Sequence, residues 1–393
     1  MTFRKFICIL LPACLFQSAT YGLTFLLPDL FAQIGGTAAD VGTTLGVAAL
    51  TTLSVVLFLG EVTKRAGVMV PLSVSGILCA TSLALFASAT SMGLLVLVAG
   101  ALLGLGWGLF YVLGPIVLAQ VLRPDQRVTY FTWLSAFVMA GIGMGPISGY
   151  ILGVTSAFYT VSVLCLVCGA AFGWIAPALD RLRVGQADVE NDLSLRNALR
   201  VMRSPAWRPI VMVGLGASVF AALSNFQTIY ADKAGLSYAV FFLVYTVTVI
   251  AGRFAMAHLI GTRAPYGVIA ILMGVMTVSV LVFLAQSSNT FVYLIASGLF
   301  GIGYGIAYPI VKAMAANDAW PGMTAATLQM FGLAYFIGVF GFPFVAGGLI
   351  ERHGVSGLLI LAAMLSAMEG CLAFSRWRQD STNAHGRKPD RRS

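Results

Sequence analysis

The sequence is poor in charged residues, and those that it has are mostly of one sign. Only 9% of the 393 residues are Asp, Glu, Lys or Arg, whereas 59% are hydrophobic. Ordinary soluble domains carry about 25% charged residues. A soluble fold of this length could not bury so much apolar surface, so the composition excludes a soluble globular protein. It predicts a chain whose solvent is largely apolar.

Histidine and cysteine are also scarce. The three histidines, His258, His353 and His385, are too scattered for a metal site. Cys165 and Cys168 form a CxxC, but they lie inside an apolar run, where small packing residues are the simpler interpretation than redox chemistry. No nucleophile–base set and no loop long enough for a catalytic domain occur, so we expect no enzyme, no cofactor and no metal.

Long apolar runs are what the sequence has in abundance. A helix of about 20 apolar residues crosses the hydrocarbon core of a bilayer. The N-terminal MTFRKFICILLPACLF begins like a signal peptide, but the run continues through Leu30 without a convincing cleavage site, so we expect an uncleaved first helix. The sequence predicts an all-α polytopic membrane protein with twelve transmembrane helices, at about 6–30, 41–63, 67–88, 92–120, 128–153, 156–179, 208–230, 238–262, 266–286, 290–316, 324–350 and 355–377.

The basic residues predict the orientation. If the N-terminus is cytoplasmic, 20 of the 23 Lys and Arg residues fall on the cytoplasmic side, leaving Lys233 and Arg352 outside and Arg253 within a span. Cytoplasmic loops of membrane proteins carry such an excess. We therefore expect a multi-pass protein of the cell (inner) membrane with both termini cytoplasmic. The net charge of +9 then reflects topology and contact with the lipid bilayer, and does not indicate nucleic-acid binding.

One hydrophilic stretch, residues 180–208, interrupts the apolar pattern and divides the spans into six plus six. Within it, SLRNALRVMR places apolar and basic residues on different sides, as in a short helix lying on the inner membrane surface. The expected domains are an N-terminal six-helix bundle (1–179), a cytoplasmic basic linker (180–208), a C-terminal six-helix bundle (209–378) and a cytoplasmic basic tail (379–393).

The two halves share a repeated segment. GLGWGLFY (104–111) returns as GIGYGIAY (301–308), an offset of 197 residues. The same offset relates Pro124 to Pro321, Gly141 to Gly338 and Pro146 to Pro343. Both halves have six spans and so enter the membrane in the same direction. Parallel repeats of this kind build alternating-access transporters.

On these residues the chain resembles the major facilitator superfamily of secondary transporters over essentially its whole length. AGIGMGPISGY (140–150) is similar to the family's antiporter motif, matching it at Gly141, Gly145, Pro146 and Gly149, with Tyr150 in place of the last glycine. In the family this motif is associated with exporters and proton antiporters. Glycines four residues apart also allow close helix packing, which is the alternative interpretation.

The resemblance is weaker at the inner gate. GEVTKRAGVMV (60–70) is similar to a degraded copy of the family's first motif, with Lys64 where an acid is expected. The motif arginine of the fourth span is missing too. Arg127, in RPDQR, matches the family's basic gate residue, although Arg123 and Arg127 are equally explained as topology charges.

In this family, the first, fourth, seventh and tenth spans line a central cavity. The candidates for binding a small-molecule substrate are therefore the polar, aromatic and basic residues of these spans, together with Arg253 in span eight. Polar groups at membrane depth are costly unless they are satisfied, so those that occur there are often functional. Helix packing, an ion pair at Arg253 and snorkelling of Lys312 are the alternatives. The candidates are Gln17, Tyr21, Trp107, Tyr111, Asn225, Gln227, Arg253, Tyr304, Tyr308 and Lys312.

Acidic residues are lacking in the interior of the four cavity spans. An exporter of cationic drugs needs a carboxylate there, so we expect a neutral, zwitterionic or anionic substrate. Glu369 and Asp29 are the candidates for binding a coupling proton, with a structural ion pair and a helix cap as the respective alternatives. The sequence favours an exporter acting as a monomer; an importer or facilitator of a small metabolite or chelator is the alternative.

Overall fold

The computed structural model describes residues 1–123, 126–182, 195–256, 265–285 and 288–386. Pro124, much of the predicted linker (183–194), His258 and the end of the tail (387–393) lie outside the described residues. The side chains of Arg127 and His385 lie outside them as well, so the gate role of Arg127 stays a prediction.

The described residues contain eleven helices that are apolar and long enough to cross a bilayer, and the last of them, Thr324–Gln379, is long enough for two spans and is kinked at Gly354, which gives twelve spans. The prediction of an all-α, twelve-span protein is confirmed. The spans are Phe3–Ala32 (span 1), Ala38–Ala66 (span 2), Met69–Ser88 (span 3), Leu94–Val121 (span 4), Arg127–Leu152 (span 5), Val154–Leu182 (span 6), Trp207–Asn225 continued by Gln227–Ala234 (span 7), Tyr238–Met256 (span 8), Pro265–Ala285 (span 9), Thr290–Asn317 (span 10), 324–353 (span 11) and 355–386 (span 12).

Local irregularities in the helices have identifiable causes. Spans 11 and 12 are joined without a loop at Gly354, whose φ of 69° suits a residue without a side chain. Span 11 widens into a π-helical turn at Ile337–Gly341, directly before Pro343, which has no N–H to continue the ladder. The amphipathic segment of the linker forms the helix Leu195–Arg203.

Spans 1–6 pack together as one half and spans 7–12 as the other, and the halves meet chiefly where span 2 contacts span 11 and span 5 contacts span 8. We call the face that holds the start of span 1 and the end of span 12 the terminal face, and the other the opposite face. The chain alternates between the two faces, so each half begins and ends at the terminal face.

The repeat seen in the sequence is also a repeat of contacts. Gly104 lies against Ala48 of span 2, and Gly301 lies against Tyr245 of span 8, each pair shifted by the same 197 residues. Further along the two helices, Gly106 meets Cys79 and Gly303 meets Met276, again with that shift. A methyl group at any of these glycines would crowd the neighbouring helix. The glycines of the repeat therefore hold span 4 against spans 2 and 3, and span 10 against spans 8 and 9.

The glycines of span 5 pack against span 1. A Cβ atom at Gly141 would lie 1.9 Å from the carbonyl oxygen of Leu15, and one at Gly145 would lie 2.5 Å from the backbone of Gly22. Gly149 meets the side chain of Leu26 in the same way. Glycine at four-residue intervals thus lets two helices approach with almost no side chain between them.

Candidate functional site

A cavity of about 300 Å³ lies between the two halves. Its lining includes Pro115 and Lys312, which are close to the ends of spans 4 and 10 at the terminal face, and Ser135 near the start of span 5. The cavity therefore occupies the half of the molecule nearer the terminal face. Its position between pseudo-symmetric halves is where an alternating-access transporter binds its substrate.

Tyr111 and Tyr308 meet in the wall of the cavity. They end the two copies of the repeated octapeptide, and their hydroxyl oxygens lie 3.1 Å apart across the interface between the halves. Because they are 197 positions apart, the pseudo-two-fold axis passes between them. Tyr335 of span 11 stacks on Tyr111 with ring centroids 5.6 Å apart. The three phenols present polar hydroxyls on apolar rings to the cavity.

Arg253 joins the two halves beside these tyrosines. Its Nε donates a hydrogen bond to the carbonyl oxygen of Gly305 at 3.0 Å, and its guanidinium donates another to Ser135 Oγ in the other half. The side chain is half-buried and lines the cavity together with Lys312. Among the described residues neither cation has a carboxylate partner, and the residues that line the cavity include no Asp or Glu. The cavity therefore carries net positive charge.

Aromatic rings close the molecule between the cavity and the opposite face. Tyr21 stacks on Trp107 with centroids 5.0 Å apart and contacts Phe220 and Phe340 of the other half. The Tyr21 hydroxyl and the Trp107 indole N–H are buried and have no hydrogen-bond partner among the described groups. Since Trp107 lies 5.7 Å from the Tyr111 ring, these donors sit one layer behind the cavity wall.

The three predicted amides do not border this cavity, and their role in binding a substrate stays a prediction. Gln17 donates to Ser75 Oγ at 2.8 Å inside the N-terminal half. Gln227 donates to the Tyr293 hydroxyl at 2.7 Å inside the C-terminal half. Asn225 donates to a carbonyl of its own helix and accepts a 3.4 Å hydrogen bond from Thr24 across the interface, on the side of the opposite face. Each amide thus has a hydrogen-bond partner away from the cavity, which is the other solution for a polar group at membrane depth, although Gln17 Oε1 is buried without a partner among the described groups.

The lining also includes residues that the sequence analysis missed. Ser135 and Met139 of span 5, Tyr245 of span 8 and Tyr335 of span 11 all border the cavity. The family resemblance directed attention to spans 1, 4, 7 and 10. A signal existed in Arg253, because an arginine at membrane depth in span 8 requires a partner on a facing helix.

The two predicted coupling acids lie far apart in the fold. Glu369 of span 12 is 3% exposed and lies within the C-terminal half, behind Tyr304 and Tyr308 as seen from the cavity. Asp29 borders a separate cleft at the opposite face, together with Asp232 and Lys233. Only Glu369 shares neighbours with the central cavity.

The fold agrees with the similarities to known proteins. A model of the Major Facilitator Superfamily matches residues 9–322. The crystal structure of a mutant of the nucleoside transporter NupG superposes with a TM-score of 0.77 at 13% sequence identity, covering 94% of this chain and 98% of that chain. At this identity the structural match shows the fold alone. No curated protein sequence matches the chain. Since the family model spans most of the sequence, the chain belongs to the Major Facilitator Superfamily.

Proposed function

We propose that the chain is a secondary active transporter that exports a small neutral, zwitterionic or anionic organic solute by alternating access of its two six-span halves. Family membership, the repeated halves and a cavity on the axis between them support this proposal. The volume of the cavity, about 300 Å³, lies at the lower end of the range for small-molecule sites, ~300–1,000 Å³. A compact solute suits this space.

The positive charge of the cavity favours the anionic class among these solutes. Arg253 and Lys312 border it, and no described lining residue offers a compensating carboxylate. A carboxylate or phosphate group would gain charge-assisted hydrogen bonds from the guanidinium, which presents a planar fork of donors. The phenols of Tyr111, Tyr308 and Tyr335 would contact the apolar part of the same molecule.

The proposal of export rests on the span 5 motif and on membrane orientation. Basic residues concentrate at the terminal face, which favours a cytoplasmic location for that face and for both termini. The cavity would then lie on the cytoplasmic side, where an exporter collects its solute and an importer releases it, so the span 5 motif is what favours export. An importer or facilitator is the alternative, and the likeness to a nucleoside transporter makes a neutral solute its natural substrate.

Matched ligands that differ only in charge test the site. Benzoate, benzamide and benzylammonium share a ring and differ by one charge, and their binding to the purified protein can be followed by the shift of its melting temperature. We expect benzoate to bind most tightly and the cation not at all. Arg253→Gln should weaken benzoate at least tenfold, or about 1.4 kcal/mol, and leave benzamide unchanged.

Arg253→Lys is the control, since it keeps the charge but loses the fork and should give an intermediate affinity for benzoate. Tightest binding of benzylammonium, undiminished in Arg253→Gln, would contradict the proposal. Uptake of the bound ligand into inverted but not right-side-out membrane vesicles would support export, and the reverse result would favour the importer.

A further inference from the structure

Glu369 is a buried carboxyl group with no role in the cavity described above. Its Oε2 atom has no hydrogen-bond partner among the described groups, although the residue is only 3% exposed. A charged carboxylate without a partner in an apolar interior is very costly, and it becomes tolerable only when it takes up a proton. The packing of this site is therefore complementary to a neutral, protonated Glu369.

The neighbouring helix is shaped around this carboxyl group. A Cβ atom at Gly216 of span 7 would lie 2.8 Å from Glu369 Oε2 and 3.2 Å from Oε1. Any larger residue at position 216 would displace the carboxyl group, so the glycine supplies the space that the acid fills. Span 7 and span 12 can hold this contact only while they remain closely packed.

A gap of about 10 Å³ separates Glu369 from the cavity wall. This is about the space that one water molecule needs. Tyr304 and Tyr308 border both the gap and the central cavity. The residues that border this gap with Glu369 come from spans 7, 9 and 10, and they are Val213, Gly216, Met273, Tyr304, Ala307, Tyr308 and Val311. Only the two tyrosines among them can titrate, and none of the seven residues is charged.

We propose that Glu369 is the proton-binding residue that couples a proton gradient to the movement of the two halves. It holds its proton in the conformation described here, with the cavity towards the terminal face. Opening of the opposite face moves the other half away from spans 7 and 10, which loosens their packing on span 12 and admits water to Glu369, and the carboxyl O–H bond then breaks with transfer of the proton to that water. Tyr304 and Tyr308 connect this event to the cavity. The inference rests on the proposed transport function, but its test needs no substrate.

Spin labels on the opposite face can follow the conformational equilibrium. Gln33, directly after span 1, and Lys233, on span 7, are exposed there in the two halves. Labels attached through Gln33→Cys and Lys233→Cys, in a chain with its six native cysteines replaced by alanine, report the separation of the halves by pulsed electron resonance. Raising the pH from 6 to 9 should enlarge the long-distance population at least threefold, because loss of the proton disfavours the packed state.

Glu369→Gln keeps the shape of the protonated acid and cannot titrate, so its distance distribution should be the same at both pH values. Asp29→Asn removes the other candidate acid and should leave the pH response intact. A full pH response in Glu369→Gln would overturn the proposal. Loss of the response in Asp29→Asn alone would also overturn it and assign coupling to Asp29.

Infrared spectroscopy supplies a second, direct readout. The purified protein should show a carboxylic-acid C=O band at pH 6 that is missing from Glu369→Gln, and absence of any such difference would refute proton binding. If Glu369→Gln does not fold, Gly216→Ala replaces it. That variant keeps the acid but displaces it, and it should shift the midpoint of both pH-dependent signals; an unchanged midpoint counts against the proposal. Because neither readout involves ligand, failure here is distinct from failure of the benzoate assay.

Discussion

Two tyrosines hold equivalent positions in the two halves, and each hydroxyl group has the other as its partner at 3.1 Å. This hydrogen bond crosses the surface along which the halves must separate or rock. It also lies in the wall of the positively charged cavity, where a substrate oxygen could take the place of either hydroxyl. Tyr111 and Tyr308 thus link the duplication of the chain to the cavity that we propose as its ligand site.

The tyrosine bridge can be measured by a double-mutant cycle. Tyr111→Phe and Tyr308→Phe should each lower the free energy of unfolding in detergent by ~1 kcal/mol, the usual net value of one hydrogen bond. The double variant should be no less stable than the worse single variant, which gives a coupling energy of ~1 kcal/mol. Strictly additive effects would show that the hydroxyl groups do not interact. Tyr159→Phe, at an exposed site, is the control.

At the scale of the helices, glycine decides how closely elements approach. Span 5 meets span 1 backbone to backbone at Gly141 and Gly145, and the octapeptide glycines do the same for spans 4 and 10. In water, glycine within a helix costs ~1 kcal/mol relative to alanine. Here that cost is offset by van der Waals contact between helix backbones, the main source of association between membrane helices.

Alanine substitution should have opposite effects at packed and open glycines. Gly141→Ala places a methyl group 1.9 Å from the Leu15 carbonyl oxygen, so spans 1 and 5 must move apart. We expect a loss of about 1–3 kcal/mol in the free energy of unfolding. Gly274→Ala in span 9 meets nothing within 4 Å, and it should be neutral or stabilise the helix by up to ~1 kcal/mol. Thermal unfolding in detergent distinguishes the two outcomes; equal effects would show that the close approach is unimportant.

For the whole molecule, the distribution of interface contacts fixes the conformation. Towards the opposite face the halves touch closely, since a Cβ at Gly42 of span 2 would lie 2.4 Å from the carbonyl oxygen of Pro343 in span 11. The Glu351 carboxylate also accepts a 3.1 Å hydrogen bond from the Ala39 N–H across this interface. Towards the terminal face the halves instead enclose the cavity. The structure therefore represents a state closed at the opposite face.

A small residue at this interface should control the conformational equilibrium. Gly42→Ala inserts a methyl group where the halves touch, so we expect the long-distance population of the Gln33–Lys233 spin-label pair to rise at least threefold at pH 6. Gly46→Ala is the matched control one turn away, because its methyl group would lie 3.6 Å from the Phe344 side chain, an ordinary contact. A similar shift in both variants would mean that the closed interface does not depend on Gly42.

The sequence by itself determined that the protein lies in a membrane, that it has twelve spans in two related halves, and that Gly141, Gly145 and Gly149 share one helix face. These properties follow from composition and from the regular spacing of residue types along each helix, and neither depends on which helices pack beside it. The sequence also identified Tyr111, Tyr308 and Arg253 as residues at membrane depth that require partners.

Only the tertiary structure decided what those partners are. Gln17 and Gln227 have the same polar character as the cavity residues, but they turn into their own bundles, because the direction of a side chain around a helix depends on which helix packs beside it. No sequence pattern distinguished Ser135, which becomes a partner of Arg253 because spans 5 and 8 are in contact. Glu369 likewise looked peripheral, until the packing of span 12 against Gly216 placed it one tyrosine layer behind the cavity.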